Sequence, residues 1–209
     1  DNYNTALQID STHALSIYHK SKLVPGSEKL PFPKYLQYLE KYALDLGGTK
    51  GSLGVQERRS VFVHPTLKSG IAPVICYESI YGDYVGEYIR NGARYIFIMT
   101  NDGWWDDTPG YHQHLAYGTL RAIETRKSIA RSANTGISCF INMRGEIQQP
   151  QAWWVTSSIR QRIVSTEALT FYTLYGDWLA VAMVWISWGA VTWFFVRLGV
   201  LFTRKRKKT

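Results

Sequence analysis

Short apolar runs alternate with amphipathic stretches over the first 170 residues, and the alternation predicts strands and helices in turn. Apolar runs typical of strands cover residues 5–8, 14–19, 61–64, 71–76, 95–100, 129–133 and 137–142, with a weaker strand candidate at 155–164. Apolar positions at helical spacing predict helices over residues 35–46, 79–92 and 111–128. Strands that alternate with helices indicate an α/β domain.

Two of the predicted strands, 71–76 and 95–100, are apolar at nearly every position instead of at every second one. A strand shows this pattern when both of its faces are buried, as in parallel sheets that carry helices. We therefore expect these two strands to lie at the centre of a sheet that is covered on both sides.

A last apolar run, residues 178–202, differs from the others in its length. It holds 25 residues with a single charge, Arg197, whereas about 20 apolar residues are enough to cross the hydrocarbon core of a bilayer. A buried core helix is the alternative, but such helices rarely stay apolar on every face for so long. The run predicts one transmembrane helix.

The net charge of +8 is concentrated at the end of the chain. Five basic residues lie in 203–209 and Arg197 adds a sixth, so residues 1–177 carry a net charge of only +2. This distribution argues against nucleic-acid binding by the folded part. A basic segment beside a membrane span marks the cytoplasmic side. We therefore predict that 203–209 is a cytoplasmic tail and that residues 1–177 lie on the opposite side, periplasmic in a Gram-negative bacterium.

Cys76 lies at the junction between a predicted strand and a predicted helix. Such a junction presents a thiol at the edge of the sheet, near the backbone N–H groups that open the helix. These surroundings favour a thiolate and offer donors to an oxyanion, as a nucleophile requires. A lone cysteine is more often a small buried apolar residue, so its neighbours have to decide between the two roles.

Two further segments rich in polar and aromatic residues follow predicted strands. Residues 18–28 have the sequence YHKSKLVPGSE, and residues 100–105 have the sequence TNDGWW. Because α/β folds place their functional groups at the carboxyl ends of strands, we expect both segments to approach Cys76.

In this order, and with RAIE at 121–124, NTGI at 134–137 and GEI at 145–147, the segments resemble the carbon-nitrogen hydrolase (nitrilase) superfamily. More narrowly they resemble its apolipoprotein N-acyltransferase family. The resemblance implies a partial nitrilase-like αββα sandwich over residues 1–170. The apolar run that follows separates the membrane acyltransferases from soluble amidases and nitrilases.

The resemblance also implies a Glu–Lys–Cys triad. On the matching positions Cys76 is the nucleophile and Lys20 stabilises the thiolate and the oxyanion, with Lys22 as a competing candidate. Glu28 and Glu78 match further glutamates of the family and are expected to support the other two. No metal or organic cofactor is implied.

Three more residues are expected to contact substrate: Tyr77, Asn101 and Trp104. Tyr77 and Trp104 match family positions near the acyl pocket, although both could also be core aromatics. His112 and His114 do not suggest a metal pair, because residues two apart do not share a helix face.

The general base of the triad has no match in this sequence. In the family that glutamate precedes the lysine strand, and several hydrophobic helices precede it in turn. We therefore expect the chain to be a C-terminal fragment that is inactive by itself.

The implied reaction moves a fatty acyl chain from a phospholipid, through a cysteine thioester, to the α-amine of a diacylglyceryl-modified cysteine on an apolipoprotein. The implied partners are these two substrates and the bilayer of the bacterial inner membrane. One alternative is a membrane-anchored amidase or nitrilase, and another is a non-catalytic nitrilase-like module. The two cysteines, Cys76 and Cys139, leave a further possibility open, since a disulfide between them would block the nucleophile.

Overall fold

The computed structural model describes residues 2–29, 53–164 and 166–206. The predicted helix 35–46 lies outside the described residues. The chain divides into two compact units, Asp1–Leu174 and Tyr175–Thr209.

Two sheets form the first unit. A two-stranded antiparallel sheet consists of β1 (Thr5–Ile9) and β2 (Leu15–His19). The larger sheet has six strands whose spatial order follows the chain: β3 (Phe62–Val63), β4 (Gly70–Ile75), β5 (Ala93–Thr100), β6 (Ser128–Ala133), β7 (Cys139–Ile141) and β8 (Ile147–Gln148). Strands β4, β5 and β6 are parallel, and the outer pairs are antiparallel.

Helices connect the parallel strands, as the alternating pattern predicts. Helix α1 (Gly82–Arg90) joins β4 to β5, α2 (Pro109–Thr125) joins β5 to β6, and the short α3 (Phe171–Tyr175) follows later. Proline at the first position of α2, with Thr108 as the N-cap, is a favoured helix start because the proline has no N–H to leave unpaired. The predicted α/β class is thus confirmed.

The core lies between α1, α2 and one face of the large sheet. It includes Val85, Tyr88, Ile89, Leu115 and Ala122 from the helices and Val74, Ile96, Ile98, Ile129 and Ile141 from the strands. Burying each large side chain of this set contributes about 1.5–3 kcal/mol. On the opposite face, Phe97 stays 36% exposed and borders a cavity of about 370 Å3. Within the described part of the chain, that face is therefore less covered than predicted.

The predicted strand at 155–164 is wrong, because these residues form no ladder in the structure. Their carbonyl groups are bonded by side chains instead: Ser128 Oγ donates to Val164 O, and Gln149 Nε2 donates to Arg160 O. A period-two pattern alone cannot tell whether a partner strand is present. The helix predicted at 79–92 begins at Gly82, three residues later than predicted, because residues Cys76–Ile80 form a separate 3-10 turn.

The second unit contains helix α4 (Trp178–Arg206). Its first 22 residues, Trp178–Gly199, are long and apolar enough to cross a membrane, and none of the side chains in the apolar window is buried. The predicted helix is confirmed, whereas the membrane crossing stays a prediction. Helix α4 also includes Arg204–Arg206, so the predicted basic tail begins inside the helix.

Candidate active site

Cys76 is the first residue after β4, at the tip of a sharp turn from strand to 3-10 helix. Its φ angle of 49° lies in the left-handed region, which non-glycine residues adopt at a cost of about 1 kcal/mol or more. In α/β-hydrolases a sharp turn from strand to helix likewise presents the nucleophile. The thiol is half-buried and free.

A polar cavity of about 380 Å3 opens beside the thiol. Five of the seven predicted site residues border it: Lys20, Glu28, Cys76, Asn101 and Trp104. The structure therefore brings together the three segments that the sequence places at strand ends, and their catalytic roles stay predictions.

Among the lysines that the structure describes, Lys20 borders this cavity. It is 1% exposed, and its Nζ donates to Glu28 Oε1 at 2.8 Å. The competing candidate, Lys22, is exposed and holds its Nζ over the rings of Tyr81 and Tyr84, 5.4 and 5.6 Å from their centroids. The geometry favours Lys20.

Glu28 fastens the loop that carries Lys20. Besides the lysine ammonium, it accepts from the side-chain amide of Asn4 and from Val24 N at 2.8 Å. It is the one carboxylate among the described residues that border the polar cavity.

Glu78 lies elsewhere, fully buried and absent from the described cavity walls. Its carboxylate accepts from the hydroxyls of Tyr18 and Tyr84 at 2.6 and 2.7 Å. It also accepts from Ser21 N at 2.7 Å and Ile75 N at 2.8 Å. Glu78 thus ties the Lys20 loop to the end of β4 instead of facing the cavity.

The phenols around Glu78 are kept neutral. Burial, reinforced by the negative charge of Glu78, raises the pKa of Tyr84 to about 12. The same two causes raise the pKa values of Tyr18 and Tyr88 further. The hydroxyls of Tyr18 and Tyr84 therefore remain hydrogen-bond donors to the Glu78 carboxylate.

An aromatic cavity of about 180 Å3 lies on another side of Cys76, lined by Tyr77, Trp104, Trp105, His114 and Tyr117 among others. The Trp104 and Trp105 rings stack with their centroids 4.0 Å apart. Cys76 and Trp104 border both cavities, whereas Tyr77 borders only the aromatic one.

Sequence reasoning missed a buried ionic cluster made of Asp102, His114 and Arg131. His114 Nδ1 lies 2.8 Å from Asp102 Oδ1, and Arg131 donates to Asp102 Oδ2 at 2.5 Å. Burial alone would raise the pKa of Asp102, but the hydrogen bond from His114 and the charge of Arg131 outweigh it and lower that pKa. His114 lies within a predicted helix and Arg131 within a predicted strand. Polar residues in such segments were the signal that could have revealed this cluster.

Cys139 is the second thiol, and it is fully buried in β7. Burial raises its pKa to about 11, although the charge of Arg131 opposes this. Both cysteines are free, so no disulfide blocks Cys76.

Several known proteins are similar to this chain. The carbon-nitrogen hydrolase family model matches residues 1–169. An apolipoprotein N-acyltransferase from Chlorobaculum tepidum is 35% identical over 167 residues, covering 78% of this chain and 31% of that protein. One from Thermotoga maritima is 30% identical over 200 residues, covering 90% and 37%. The chain thus spans about a third of the length of these curated relatives.

Among solved structures, an amidase from Nesterenkonia sp. AN1 aligns with a TM-score of 0.50 at 18% identity, covering 71% of this chain and 52% of that one. At this level of identity the likeness concerns the fold alone. That structure, of a mutant of the amidase, shows the result of a Michael addition of acrylamide at the active-site cysteine of that protein.

Proposed function

Because the chain belongs to the carbon-nitrogen hydrolase family, we propose that it acts in lipoprotein N-acylation with Cys76 as the nucleophile. The main observation in support of this proposal is that Cys76 and the Lys20–Glu28 pair border the same cavity. The relatives named apolipoprotein N-acyltransferase support acyl transfer over the hydrolytic alternative.

In the first half-reaction the Cys76 thiolate attacks an ester carbonyl of a phospholipid. A carbon–sulfur bond forms, the ester carbon–oxygen bond breaks, and the lysophospholipid leaves as an alcohol with the proton that the Cys76 thiol first gave up to a base. The ammonium of Lys20 stabilises the thiolate and then the oxyanion, since a fixed cation in a nearly dry site interacts strongly with developing charge. Glu28 holds that ammonium in place.

In the second half-reaction the α-amine of a diacylglyceryl-modified cysteine attacks the thioester. An amide bond forms, the carbon–sulfur bond breaks and the thiolate of Cys76 returns. Dividing the transfer into two steps suits substrates that cannot occupy the site together. The amine must lose a proton to a base, and the family resemblance assigns that task to a glutamate other than Glu28 and Glu78.

The aromatic cavity supports a role in holding the acyl chain. Its walls are largely aromatic, and it reaches Cys76, where the chain would be attached. Tyr77 and Trp104 would contact the first carbons of the chain, whereas Asn101 would offer a polar contact in the other cavity.

Helix α4 fits this function as a membrane anchor, since both substrates reside in a bilayer. We infer that Trp178–Gly199 crosses the bacterial inner membrane. The basic residues after it would be cytoplasmic and the catalytic unit periplasmic. Alkaline carbonate washing of membranes tests the anchor, and release of the protein into the wash would contradict it.

The function is tested with the protein expressed from its complete reading frame in detergent, together with phospholipid and a diacylglyceryl-lipopeptide acceptor. We expect a product heavier by one acyl chain. Without acceptor, we expect a hydroxylamine-labile acyl group on Cys76. Cys76→Ala should abolish both signals, and Cys139→Ala is the matched control that should keep them. Transfer by the Cys76→Ala variant, or release of free fatty acid alone, would refute the proposal.

A further inference from the structure

The backbone carbonyl of Cys76 faces a histidine from helix α2. His114 Nε2 lies 3.2 Å from Cys76 O and 3.1 Å from Ser79 Oγ. Ser79 Oγ in turn donates to Cys76 O at 2.8 Å. His114 also borders the aromatic cavity together with Cys76, so it lies at the candidate site although no substrate contact is assigned to it.

The hydrogen-bond partners determine where the protons of His114 lie. A carboxylate only accepts hydrogen bonds, so Nδ1 must carry the proton shared with Asp102. A carbonyl oxygen also only accepts, so Nε2 is the donor in a hydrogen bond with Cys76 O. With Nε2–H as a donor, Ser79 can keep its own hydroxyl proton directed at Cys76 O. Without the Nε2 proton, Ser79 would have to choose between the imidazole and the carbonyl.

Two charged side chains face the imidazole. Asp102 follows β5 and contacts Nδ1, and Arg131 of β6 donates to Asp102 and has its Nη2 3.4 Å from Nδ1. Another side chain of helix α2, Arg121, donates to Ser79 O and Ile80 O at 3.3 and 2.8 Å. The carbonyls of the turn are therefore held by side chains of one helix.

We propose that His114, oriented by Asp102, is a positioning residue that holds the Cys76 carbonyl through its Nε2–H. This bond stabilises the left-handed backbone of Cys76, which a non-glycine residue would not adopt unaided. The peptide between Cys76 and Tyr77 is trans, so fixing its carbonyl also fixes the Tyr77 N–H, which points the opposite way.

The inference rests on Cys76 being the reactive thiol of the proposed function, but not on the acyl donor or acceptor. Its test therefore uses iodoacetamide, in which the cysteine sulfur displaces iodide from carbon. Alkylation requires neither lipid nor a general base. A failure of acyl transfer would leave this measurement intact, so the two proposals can fail separately.

The 209-residue chain in detergent micelles is alkylated at neutral pH, and peptide mass spectrometry follows Cys76 separately from Cys139. We expect His114→Leu, which keeps the bulk but has no donor, to slow Cys76 alkylation about 10- to 100-fold. His114→Gln can place an amide N–H near the position of Nε2 and should restore most of the rate. His112→Gln changes an exposed histidine of the same helix and should leave the rate unchanged.

If His114 only filled space, Cys76 in the His114→Leu variant would be alkylated at least as fast as in His114→Gln. That order of rates would overturn the proposal. Should the leucine variant fail to fold, nitrogen-15 NMR of the histidine side chains decides alone. We expect Nε2 of the His114 ring, identified by its loss in His114→Gln, to carry a proton that bonds Cys76 O. A bare Nε2 would overturn the proposal.

Discussion

Two carboxylates hold the segment that carries Lys20, and they lie in regions of opposite character. Glu28 keeps 15% of its side chain exposed, borders the polar cavity and bonds the lysine ammonium. Glu78 is fully buried among Tyr18 and Tyr84 and bonds the backbone on both sides of the site. One carboxylate faces the space for substrate, and the other faces the core.

This difference shows that two residues of the same type, both matched to functional positions of a family, can serve in different ways. A carboxylate beside a cavity can respond to a substrate, because water or a ligand replaces any bond that it loses. A carboxylate whose oxygens are all engaged in the core cannot change its charge or orientation without leaving donors unpaired. We therefore expect changes on the Glu28 side to alter activity and changes at Glu78 to alter stability.

The largest expected effect is on activity and comes from Lys20. Lys20→Met keeps the buried alkyl chain but removes the ammonium, so acyl transfer should fall about 100- to 1,000-fold, as for the loss of an oxyanion donor. Lys22→Met is the matched control two residues away, and it should retain nearly full activity because Lys22 is exposed. Acyl transfer to a lipopeptide is the measurement. An equal loss in both variants would contradict the assignment of Lys20.

The next effect is on stability and compares the two carboxylates directly. In Glu78→Gln the new amide N–H faces another donor, Ile75 N, in the core. We expect a loss of about 2–4 kcal/mol in the free energy of unfolding. In Glu28→Gln the same clash arises at Val24 N, but the side chain is partly exposed and can turn toward solvent, so the loss should be about 1 kcal/mol.

Thermal unfolding followed by circular dichroism measures both variants, and acyl transfer is measured below their unfolding temperatures. Folded Glu78→Gln should retain most of its activity, whereas Glu28→Gln should lose about tenfold or more because Lys20 is less well held. Equal losses of stability would remove the distinction between the two regions.

The strand ends were predictable because they depend on local pattern. Apolar runs place Lys20, Cys76 and Asn101 after strands β2, β4 and β5. Strands β4 and β5 are parallel neighbours, so their ends meet at one edge of the large sheet, whereas β2 belongs to the separate two-stranded sheet. The family resemblance then indicated which of these residues belong to one site.

The distinction between Glu28 and Glu78 was not predictable from the pattern. It depends on contacts between residues far apart in the chain, such as the bond from Tyr18 to Glu78 across 60 positions. The same holds for His114, which reaches Cys76 across 38 positions. The left-handed backbone of Cys76 likewise has no local signal, since cysteine does not favour it.

The smallest effect is a pH dependence confined to the Glu78 region. Burial and the charge of Glu78 raise the pKa of Tyr84 from 10 to about 12, so the folded state binds this proton more tightly than the unfolded chain does. The contribution to stability is therefore complete below pH 10 and is lost as the pH rises through about 12. Tyr84→Phe should lose about 1 kcal/mol at neutral pH with the bond to Glu78, yet its stability should decline less steeply above pH 10. Tyr117→Phe, at an exposed tyrosine of α2, should follow the wild-type curve. Parallel curves for wild type and Tyr84→Phe would mean that the Glu78 region does not bind its protons as the structure indicates.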